Sequence, residues 1–373
     1  MIIAANAIWN LVNFRSGLVA ALVGAGYDVV GVGPPDAMEE VELAALGARF
    51  VPLAIDSKGL SPVRDAGTML RFYRLFRVER PICFLGYTVK PNIYGSLAAR
   101  FCGVPVIANI TGLGTAFIKQ NWLTVAVKAL YRVGLRGARI VFFQNKEDLT
   151  LFLGNRLVRS NQAQLLPGSG IDTLYFVPAP APLRDEEEII FLLMARLVRD
   201  KGVIEYVEAA RQVKRTHPRV HFQILGFLDV ENRTAITRGD IEAWQAEGLI
   251  EYLGSAADVR PAIANADVVV LPSYREGTSR VLLEAAAMAK PTITTDVPGC
   301  RDVVDDGVNG LLCRVRDAGD LADKMERIAD AGRERRAEMG YAGRARVVRD
   351  FDERLVIERY LSAIDAIISR ARR

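Results

Sequence analysis

Residues 266–295 read ADVVVLPSYREGTSRVLLEAAAMAKPTITT, and this stretch decides the fold. Its first apolar run, Asp267–Leu271, predicts a short buried strand, and Pro291–Thr294 predicts another. Between them, Arg280–Ala289 has apolar residues at the spacing of a helix that packs one face on a sheet. Short apolar strands that alternate with helices indicate a parallel sheet covered by helices on both faces.

The same alternation continues on both sides of this stretch and forms two blocks. In the first block we predict strands at Ile2–Ala5, Asp28–Val32, Arg49–Leu53, Pro81–Gly86, Pro105–Ile110 and Arg139–Phe143, with helices at Gly17–Ala25, Val63–Val78 and Ile93–Phe101. In the second block the additional strands are Ile189–Met194, Val220–Leu225, Ile250–Leu253 and Gly310–Cys313, and the additional helices are Val203–Thr216 and Gly319–Ala329. Val177–Glu188, which is rich in proline, alanine and charge, is typical of a linker between the blocks.

A chain of 373 residues is too long for one ordinary domain. We therefore predict an α/β protein with two doubly wound Rossmann-like domains, at 1–176 and 177–352, that face each other across a cleft. The remaining residues, 353–373, form a predicted helix that packs back on the first domain. Ligands of open parallel sheets bind at the carboxyl ends of the strands, so the cleft is the expected site.

Several classes of protein are not expected from the composition. No apolar run approaches the roughly 18 residues of a membrane helix, and residues 1–6 lack a basic leader, so we expect a cytoplasmic protein. The four cysteines are dispersed, and Pro218 separates His217 from His221, so neither disulfides nor a metal site are predicted. The chain also lacks the glycine-rich motifs of standard dinucleotide and P-loop sites.

Charge is unevenly distributed along the chain. Residues 1–175 contain 18 Lys and Arg against 11 Asp and Glu, whereas the remainder contains 30 against 33. The basic excess is either scatter or the mark of an anionic partner, such as phospholipid or a lipid-linked phosphate. Gln120–Leu135 also has two interpretations: a helix buried under a loop, or a helix at a membrane surface with Lys128, Arg132 and Arg136 towards lipid phosphates. Nucleic acid is not expected, because the basic residues are not interleaved with aromatic ones.

The loop after the first strand of the quoted stretch carries the strongest chemical signal. Gly277 lets the chain turn close to a ligand, and Thr278 and Ser279 are typical of a helix start. The N–H groups of a helix start, with the helix dipole, form an anion site that fits a diphosphate. Glu276 and Glu284 fit a sugar and a ribose, because carboxylates accept paired hydrogen bonds from neighbouring hydroxyls. The alternative is a capped helix with one solvated glutamate.

A second signal, Met194-Ala-Arg-Leu-Val-Arg-Asp-Lys-Gly202, follows the first strand of the second domain. Arg196 and Lys201 can both reach a phosphate, the arginine with a planar fork and the lysine as a point charge. Two fixed cations would stabilise the negative charge that develops on a leaving diphosphate. The alternative is a solvated loop, with Arg199 as its most solvated member. Both signals lie at strand ends of one sheet and require the same ligand, a diphosphate flanked by hydroxylated groups.

Three loops of the first domain follow predicted strands and carry weaker signals. Glycines in two of them leave room for a ligand, and the basic residues in two of them are candidate phosphate contacts. We expect the first two of these loops to open helices. The candidates are Arg15, Ser16 and Gly17 after the first strand, Lys90 and Asn92 after the fourth, and Thr111 and Gly112 after the fifth.

With both pairs of residues in place, the chain resembles the large family 4 of retaining glycosyltransferases, which have the two-domain GT-B fold. The family's E-x7-E motif matches Glu276 and Glu284, and its phosphate-binding arginine and lysine match Arg196 and Lys201. Its N-terminal glycine-containing loop matches Ser16-Gly17. The resemblance covers nearly the whole chain. It implies that Glu276 holds the donor sugar and Glu284 the ribose, and that neither a metal nor another cofactor is used.

The acceptor side departs from many family members, which have a histidine where this chain has Thr88-Val-Lys90. The segment Thr111–Gly114 resembles instead a bacterial subgroup that extends saccharides on undecaprenyl diphosphate, commonly from UDP-sugars and often with N-acetylhexosamines. We expect Arg15, Lys90, Asn92, Thr111 and Gly112 to lie on the acceptor side, with Lys90 as a candidate contact to either the acceptor phosphate or the donor.

The expected reaction is a retaining transfer of a hexose or N-acetylhexosamine from a nucleotide-diphosphate sugar, with UDP as the expected nucleotide. The acceptor would be a saccharide, expected to be lipid-linked, in the synthesis of a bacterial surface polysaccharide. We expect the enzyme in the cytoplasm, with the inner face of the membrane as a candidate partner. The alternatives are a UDP-sugar 2-epimerase of the same architecture and a two-lobed ligand-binding protein.

Overall fold

The computed structural model describes residues 1–56, 61–113, 122–180, 184–186, 188–228, 232 and 234–371. The chain divides into two compact units, Met1–Ser169 with Glu353–Arg373, and Gly170–Asp352. This division falls earlier than the boundary expected at 176, because Ile171 pairs with Asp352 and packs, with Phe176, in a core of the second unit.

The described part of the first unit forms one parallel sheet with helices packed on it. Its strands are β1 (Ile2–Ala4), β2 (Val30–Gly33), β3 (Arg49–Pro52), β4 (Phe84–Tyr87), β5 (Val106–Ile110), β6 (Ile140–Phe143) and β7 (Ala163–Leu165). Its helices are α1 (Trp9–Gly24), α2 (Ala37–Ala45), α3 (Pro62–Glu79), α4 (Ser96–Phe101), α5 (Trp122–Leu135), α6 (Lys146–Gly154) and α13 (Glu353–Ala371). The strand order is β3-β2-β1-β4-β5-β6-β7.

Both faces of this sheet are buried, which is why its strands read as continuous apolar runs. Ile2 and Ala4 pack in one core cluster and Ile3 in the other, because alternate residues of a strand point to opposite faces. Helix α13 returns to this unit and packs on α1. Its Tyr360 is fully buried, and the Tyr360 hydroxyl accepts a hydrogen bond of 2.7 Å from Asn109 Nδ2.

The second unit repeats the plan within its described residues. Its strands are β8 (Ile190–Met194), β9 (His221–Leu225), β10 (Glu251–Tyr252), β11 (Val268–Leu271), β12 (Thr292–Thr295) and β13 (Gly310–Cys313), in the order β10-β9-β8-β11-β12-β13. Its helices are α7 (Val203–Thr216), α8 (Arg238–Ala246), α9 (Arg260–Asn265), α10 (Arg280–Ala287), α11 (Ala318–Asp330) and α12 (Gly332–Asp350). The predicted pair of doubly wound α/β sheets is confirmed.

In each sheet the strand order reverses beside the first strand of the unit. Strand β1 lies between β2 and β4, and β8 lies between β9 and β11. At such a point the loops after two adjacent strands diverge to opposite faces and leave a crevice for a ligand. The fold therefore singles out the loops after β1 and β4 in the first unit, and those after β8 and β11 in the second.

Five helices, α2, α6, α8, α9 and α12, were not predicted from the sequence, and two others differ from or refine the expectations. Helix α1 begins at Trp9, well before the predicted start at Gly17, because Leu11 and Val12 already pack in the core. In α5, Lys128 Nζ donates to Asn155 Oδ1 at 3.0 Å, and Arg132 Nη2 donates to the Asn155 carbonyl at 2.8 Å. These bonds hold Lys128 and Arg132 against the protein, whereas Val125 and Val133 on the same helix are exposed, so both interpretations of this segment stay predictions. Gln120 and Asn121 lie outside the described residues. Within the described ranges, no helix has both the length and the apolar character needed to cross a membrane.

Candidate active site

The two sequence signals of the second unit meet at the crevice beside β8. Lys201 lies at the end of a 3-10 turn, Arg199–Lys201, in the loop after β8, and Glu276 lies in the loop after β11. The Lys201 ammonium donates a hydrogen bond to Glu276 Oε1. Their side chains are 20% and 14% exposed, so the pair is shielded but accessible. A cation and a carboxylate thus stand together where the fold predicts a ligand.

Backbone and side-chain bonds hold the two loops in register. The Asp200 carbonyl accepts hydrogen bonds from Tyr274 N at 2.9 Å and from Ser273 Oγ at 3.2 Å. The Tyr274 hydroxyl donates to Glu205 Oε1 at 2.6 Å, which ties the β11 loop to α7. Thr295 Oγ1, at the end of β12, donates to the Ser273 carbonyl. These bonds place Lys201 opposite Glu276 before any ligand arrives.

Two glycines with left-handed backbone allow this close approach. Gly202 has φ +74°, and a Cβ there would lie 2.1 Å from the Pro272 carbonyl oxygen. Gly299 has φ +78°, and a Cβ there would lie 2.4 Å from the Gly277 carbonyl oxygen. A larger residue at either position is both strained and blocked by backbone. The backbone at Gly202 and at Gly299 therefore packs directly on the loop that contains Glu276 and Gly277.

The remaining predicted cation and the helix start lie at the same edge of the sheet. Arg196 is exposed, and its guanidinium bonds to no other residue that the structure describes. Ser279 is the N-cap of α10, and its Oγ accepts from Leu282 N at 3.4 Å. The Ser279 N–H donates to the Gly299 carbonyl at 3.0 Å. The helix cap predicted from the sequence is present. The backbone N–H groups of Ser279 and Leu282 at this helix start already have partners within the chain.

Glu284 lies two turns further along α10 and contacts neither Lys201 nor Glu276. Arg280 Nε donates to Glu284 Oε1 at 3.1 Å, and Arg280 Nη1 donates to the Gly170 carbonyl at 3.1 Å. The Glu284 side chain is 13% exposed. Burial raises the pKa of its carboxyl above the ordinary value, and the guanidinium of Arg280 opposes that rise. The residue is thus a shielded acceptor for hydroxyl groups, held by an arginine.

In the first unit, the predicted loop after β1 is part of a helix. Ser16 and Gly17 lie in the middle of α1, so the expectation that they open a helix is wrong. A Cβ on Gly17 would lie within 2.7 Å of the Glu353 carboxylate, so the absence of a side chain lets α13 begin against α1. Arg15 is buried, with its guanidinium carbon 4.7 Å from the centre of the Tyr87 ring. Arg15 Nε has no hydrogen-bond partner among the described residues.

Lys90 and Asn92 follow β4, but they face the interior. Lys90 Nζ donates to Asp65 Oδ1 at 2.7 Å, and both side chains are buried. The Tyr94 hydroxyl donates to the other oxygen of Asp65 at 2.9 Å. Asn92 Nδ2 donates to the Asn109 carbonyl at 2.7 Å. Lys90 therefore does not offer an exposed charge to a phosphate as expected, because its ammonium is buried as well as paired with Asp65.

The third loop is only partly described. Thr111 and Gly112 follow β5 and are partly exposed, and Gly112 has φ +137°. Gly114 lies outside the described residues. The acceptor role of Thr111 and Gly112 therefore stays a prediction.

Comparisons with known proteins agree with this architecture. Residues 13–168 match the model of the glycosyl transferase 4-like domain, and residues 179–346 match that of glycosyl transferases group 1. The chain is 25% identical over 378 residues to the N,N'-diacetylbacillosaminyl-diphospho-undecaprenol alpha-1,3-N-acetylgalactosaminyltransferase of Campylobacter jejuni, with 96% of each chain covered. It is 24% identical over 294 residues to the UDP-Gal:alpha-D-GlcNAc-diphosphoundecaprenol alpha-1,3-galactosyltransferase of Escherichia coli, with 76% of this chain and 75% of the relative covered.

The chain is a family 4 glycosyltransferase. Its fold is GT-B, and it superposes on Anabaena Alr3699/HepE, solved with UDP and glucose, with a TM-score of 0.79 at 15% identity and 98% coverage of both chains. The sucrose-phosphate synthase of Thermosynechococcus elongatus has the same TM-score at 18% identity and 99% coverage of both. The family resemblance stated on the two residue pairs is confirmed, and the epimerase and the binding protein are set aside.

Sequence reasoning missed several residues that build this glycosyltransferase's site. Tyr274 and Gly299 position the Glu276 loop, and the only sequence signal for either was the Pro-Gly turn at 298–299. In the first unit, Thr88 has φ +63°, and its Oγ1 accepts from Asn6 N at 3.0 Å. This bond joins the loops after β1 and β4, where the fold leaves a crevice. A threonine in left-handed backbone has no signature in a single sequence.

Proposed function

We propose that this glycosyltransferase transfers a hexose or N-acetylhexosamine from a UDP-sugar to a saccharide carried on a lipid diphosphate, with retention at the anomeric carbon. The observation that carries the proposal is the pairing of Lys201 with Glu276 beside exposed Arg196, at the crevice of the second unit. Lys201 and Arg196 supply two cations for a diphosphate, and Glu276 supplies a carboxylate for sugar hydroxyls. The two relatives named above, which act on diphospho-undecaprenol sugars, support the class of acceptor.

In the proposed donor complex, Arg196 and Lys201 contact the diphosphate, and the start of α10 at Thr278–Ser279 adds its dipole. Glu276 accepts hydrogen bonds from the sugar hydroxyls, and Glu284 from the ribose. Lys201 is held by Glu276 before the donor binds, so less side-chain entropy is lost on binding. Preorganised cations are most effective where charge develops, which here is the leaving diphosphate.

The proposed reaction exchanges one bond for another at the anomeric carbon. The bond between this carbon and the diphosphate oxygen breaks, and the acceptor hydroxyl oxygen bonds to the same face. The acceptor proton passes to an oxygen of the departing diphosphate, so UDP leaves and no histidine base is required. We propose that no metal takes part, that synthesis of a bacterial surface polysaccharide is the pathway, and that the reaction occurs in the cytoplasm.

The first test is a thermal-shift panel with UDP, GDP, ADP and TDP, because a nucleotide that binds only the folded state raises the unfolding temperature. We expect stabilisation by UDP alone and its loss in Glu284→Ala. UDP-sugars are then offered with a synthetic polyprenyl-diphosphate saccharide, with and without EDTA, and the product anomer is read by NMR. Transfer with inversion, or transfer that stops in EDTA, would overturn the corresponding part of the proposal. Stabilisation by another nucleotide would overturn the choice of UDP.

A further inference from the structure

The edge of the first sheet opposite the predicted acceptor loops is strongly basic. In a parallel sheet the segments that precede the strands share one edge, and β4, β5, β6 and β7 are neighbours. The segments before these strands, with the last turns of α3 and α4, carry exposed arginines. We call this surface the arginine edge, and define it by Arg77, Arg80, Arg100, Arg136, Arg139 and Arg159.

Contacts between these segments show that the arginines are neighbours. Arg77 and Arg80 line an open pocket of about 440 Å³ together with Cys102 and Gly103. Arg100 lies two residues before Cys102, and its Cδ lies 3.2 Å from the position that a Cβ on Gly137 would take. Gly137 stands next to Arg136, whose carbonyl accepts a hydrogen bond of 3.4 Å from Arg159 Nη2. The arginine edge is therefore one continuous surface.

The charge of this surface is not neutralised by the protein. Among the residues that the structure describes, no carboxylate forms an ion pair with any of the six arginines. The nearby Glu79 pairs with Arg49 at 2.9 Å, and Arg49 also pairs with Asp28 at 3.0 Å. Six uncompensated guanidinium groups on one edge attract an anionic surface, and this attraction weakens with salt.

Exposed apolar side chains lie among these arginines. Phe101 is 70% exposed and Val78 is 78% exposed, and both belong to the helix ends that carry Arg100 and Arg77. Ile82, in the segment before β4, is also exposed. Apolar side chains surrounded by bases are typical of surfaces that enter the headgroup region of an anionic bilayer. A ligand recognised by charge alone would leave these apolar groups in water.

We propose that the arginine edge docks on a bilayer that contains anionic phospholipid. The guanidinium groups contact lipid phosphates, and Phe101, Val78 and Ile82 enter the boundary between headgroups and acyl chains. The predicted acceptor loops lie at the opposite edge of the sheet, roughly 15 Å away for strands of four or five residues, so an acceptor anchored in the same bilayer would reach them only through a saccharide at least that long. This inference does not rest on the proposed donor or acceptor, because it concerns a surface away from both.

The test is flotation of the full chain with vesicles of phosphatidylcholine alone and of phosphatidylcholine mixed with phosphatidylglycerol. We expect binding only to the mixed vesicles, and its loss at high salt. In the triple variant Arg77→Glu, Arg100→Glu and Arg139→Glu, partitioning should fall by about a hundredfold or more, since each basic residue near the surface contributes about one kcal/mol. The matched control is Arg215→Glu, Lys324→Glu and Arg327→Glu in the second unit, which should bind like the wild type.

A second pair of variants separates insertion from charge. Phe101→Ser with Ile82→Ser should weaken binding while leaving its salt dependence, whereas Val125→Ser with Leu174→Ser, exposed elsewhere, should not. Equal binding to neutral vesicles, or wild-type binding by the triple arginine variant, would overturn the proposal. So would tighter binding to single-stranded nucleic acid than to vesicles at the same salt. The unfolding temperature of each variant without ligand checks folding, so the vesicle result does not depend on the proposed donor.

Discussion

The ammonium of Lys201 donates a hydrogen bond to the carboxylate of Glu276, although the two residues are separated by 75 positions in the sequence. The bond joins the loops after β8 and β11, the adjacent strands at which the second sheet reverses its order. A ligand that binds there meets a cation and an acceptor whose positions are already set. This relationship makes the site testable one residue at a time.

Replacing Lys201 tests the contact with the diphosphate. Lys201→Ala should lower kcat by about a hundredfold or more, because losing one preorganised donor to a developing charge costs about 2–4 kcal/mol. The matched control is Arg199→Ala, in the same turn but exposed, which should transfer sugar at nearly the wild-type rate. Steady-state kinetics with a UDP-sugar measure both variants. Wild-type turnover in Lys201→Ala would remove the residue from the mechanism.

Replacing Gly202 tests whether sugar transfer requires the close approach of the loops after β8 and β11. In Gly202→Ala the new Cβ would meet the Pro272 carbonyl oxygen at 2.1 Å, so the turn that carries Lys201 must move. Gly248→Ala is the control, because Gly248 has a similar φ of +70° but open space around it. Both variants carry the left-handed strain of about 1–2 kcal/mol. Only Gly202→Ala should lose transfer as well as stability, as measured by kinetics and urea unfolding.

The raised pKa of Glu284 predicts a pH-dependent stability. The pKa of Glu284 is higher in the folded protein than in the unfolded chain, so the folded state holds this proton more tightly. Below the unfolded pKa of 4.5 the residue is protonated in both states and its ionisation costs no stability. As the pH rises through the folded pKa, the free energy of unfolding falls. Relative to the wild type, Glu284→Gln should therefore gain stability between acidic and neutral pH. Urea unfolding across this range measures the difference. The exposed Glu242→Gln is the control; if both variants follow the same curve, burial of Glu284 is not the cause.

Replacing Lys90 tests whether this residue serves the buried ion pair with Asp65 and not a substrate. Lys90→Ala leaves Asp65 buried without its cation and should destabilise the protein by about 3–5 kcal/mol. The double variant Lys90→Met with Asp65→Asn removes both charges and keeps an acceptor for the Tyr94 hydroxyl. Its free energy of unfolding should therefore return most of the way to the wild-type value. The double variant should also transfer sugar normally. If it is as stable as the wild type but inactive, Lys90 contacts a substrate after all.

Tyr360 tests the attachment of α13 to the first sheet. In Tyr360→Phe the buried Asn109 Nδ2 loses its 2.7 Å partner, which should cost about 1–3 kcal/mol of the free energy of unfolding. Tyr341→Phe, on the exposed face of α12, removes a hydroxyl without that loss and serves as the control. Equal unfolding midpoints for the two variants in urea would mean that this hydrogen bond does not anchor the helix.

Local patterns in the sequence determined the two sheets, most of the helices and the residue pairs of the second unit. Apolar runs such as Val268–Leu271 predict strands because both faces of a parallel sheet are buried. The Ser279 cap could be predicted because a capping hydrogen bond involves only residues of the same helical turn. The three-residue edge strand β7 was missed, since Ala163–Leu165 has no apolar run. The earlier start of α1 was missed because the packing of Leu11 and Val12 is not local.

Only the tertiary structure decided which charges are available to a ligand. Lys90 and Lys201 both follow strands and both suggested a phosphate contact from the sequence, yet one is buried against Asp65 and the other is accessible beside Glu276. The arginine edge likewise appeared in the sequence only as a surplus of positive charge. The physical reason is that burial and ion pairing depend on residues far apart in the chain, whereas strands and helices depend mainly on residues close to each other.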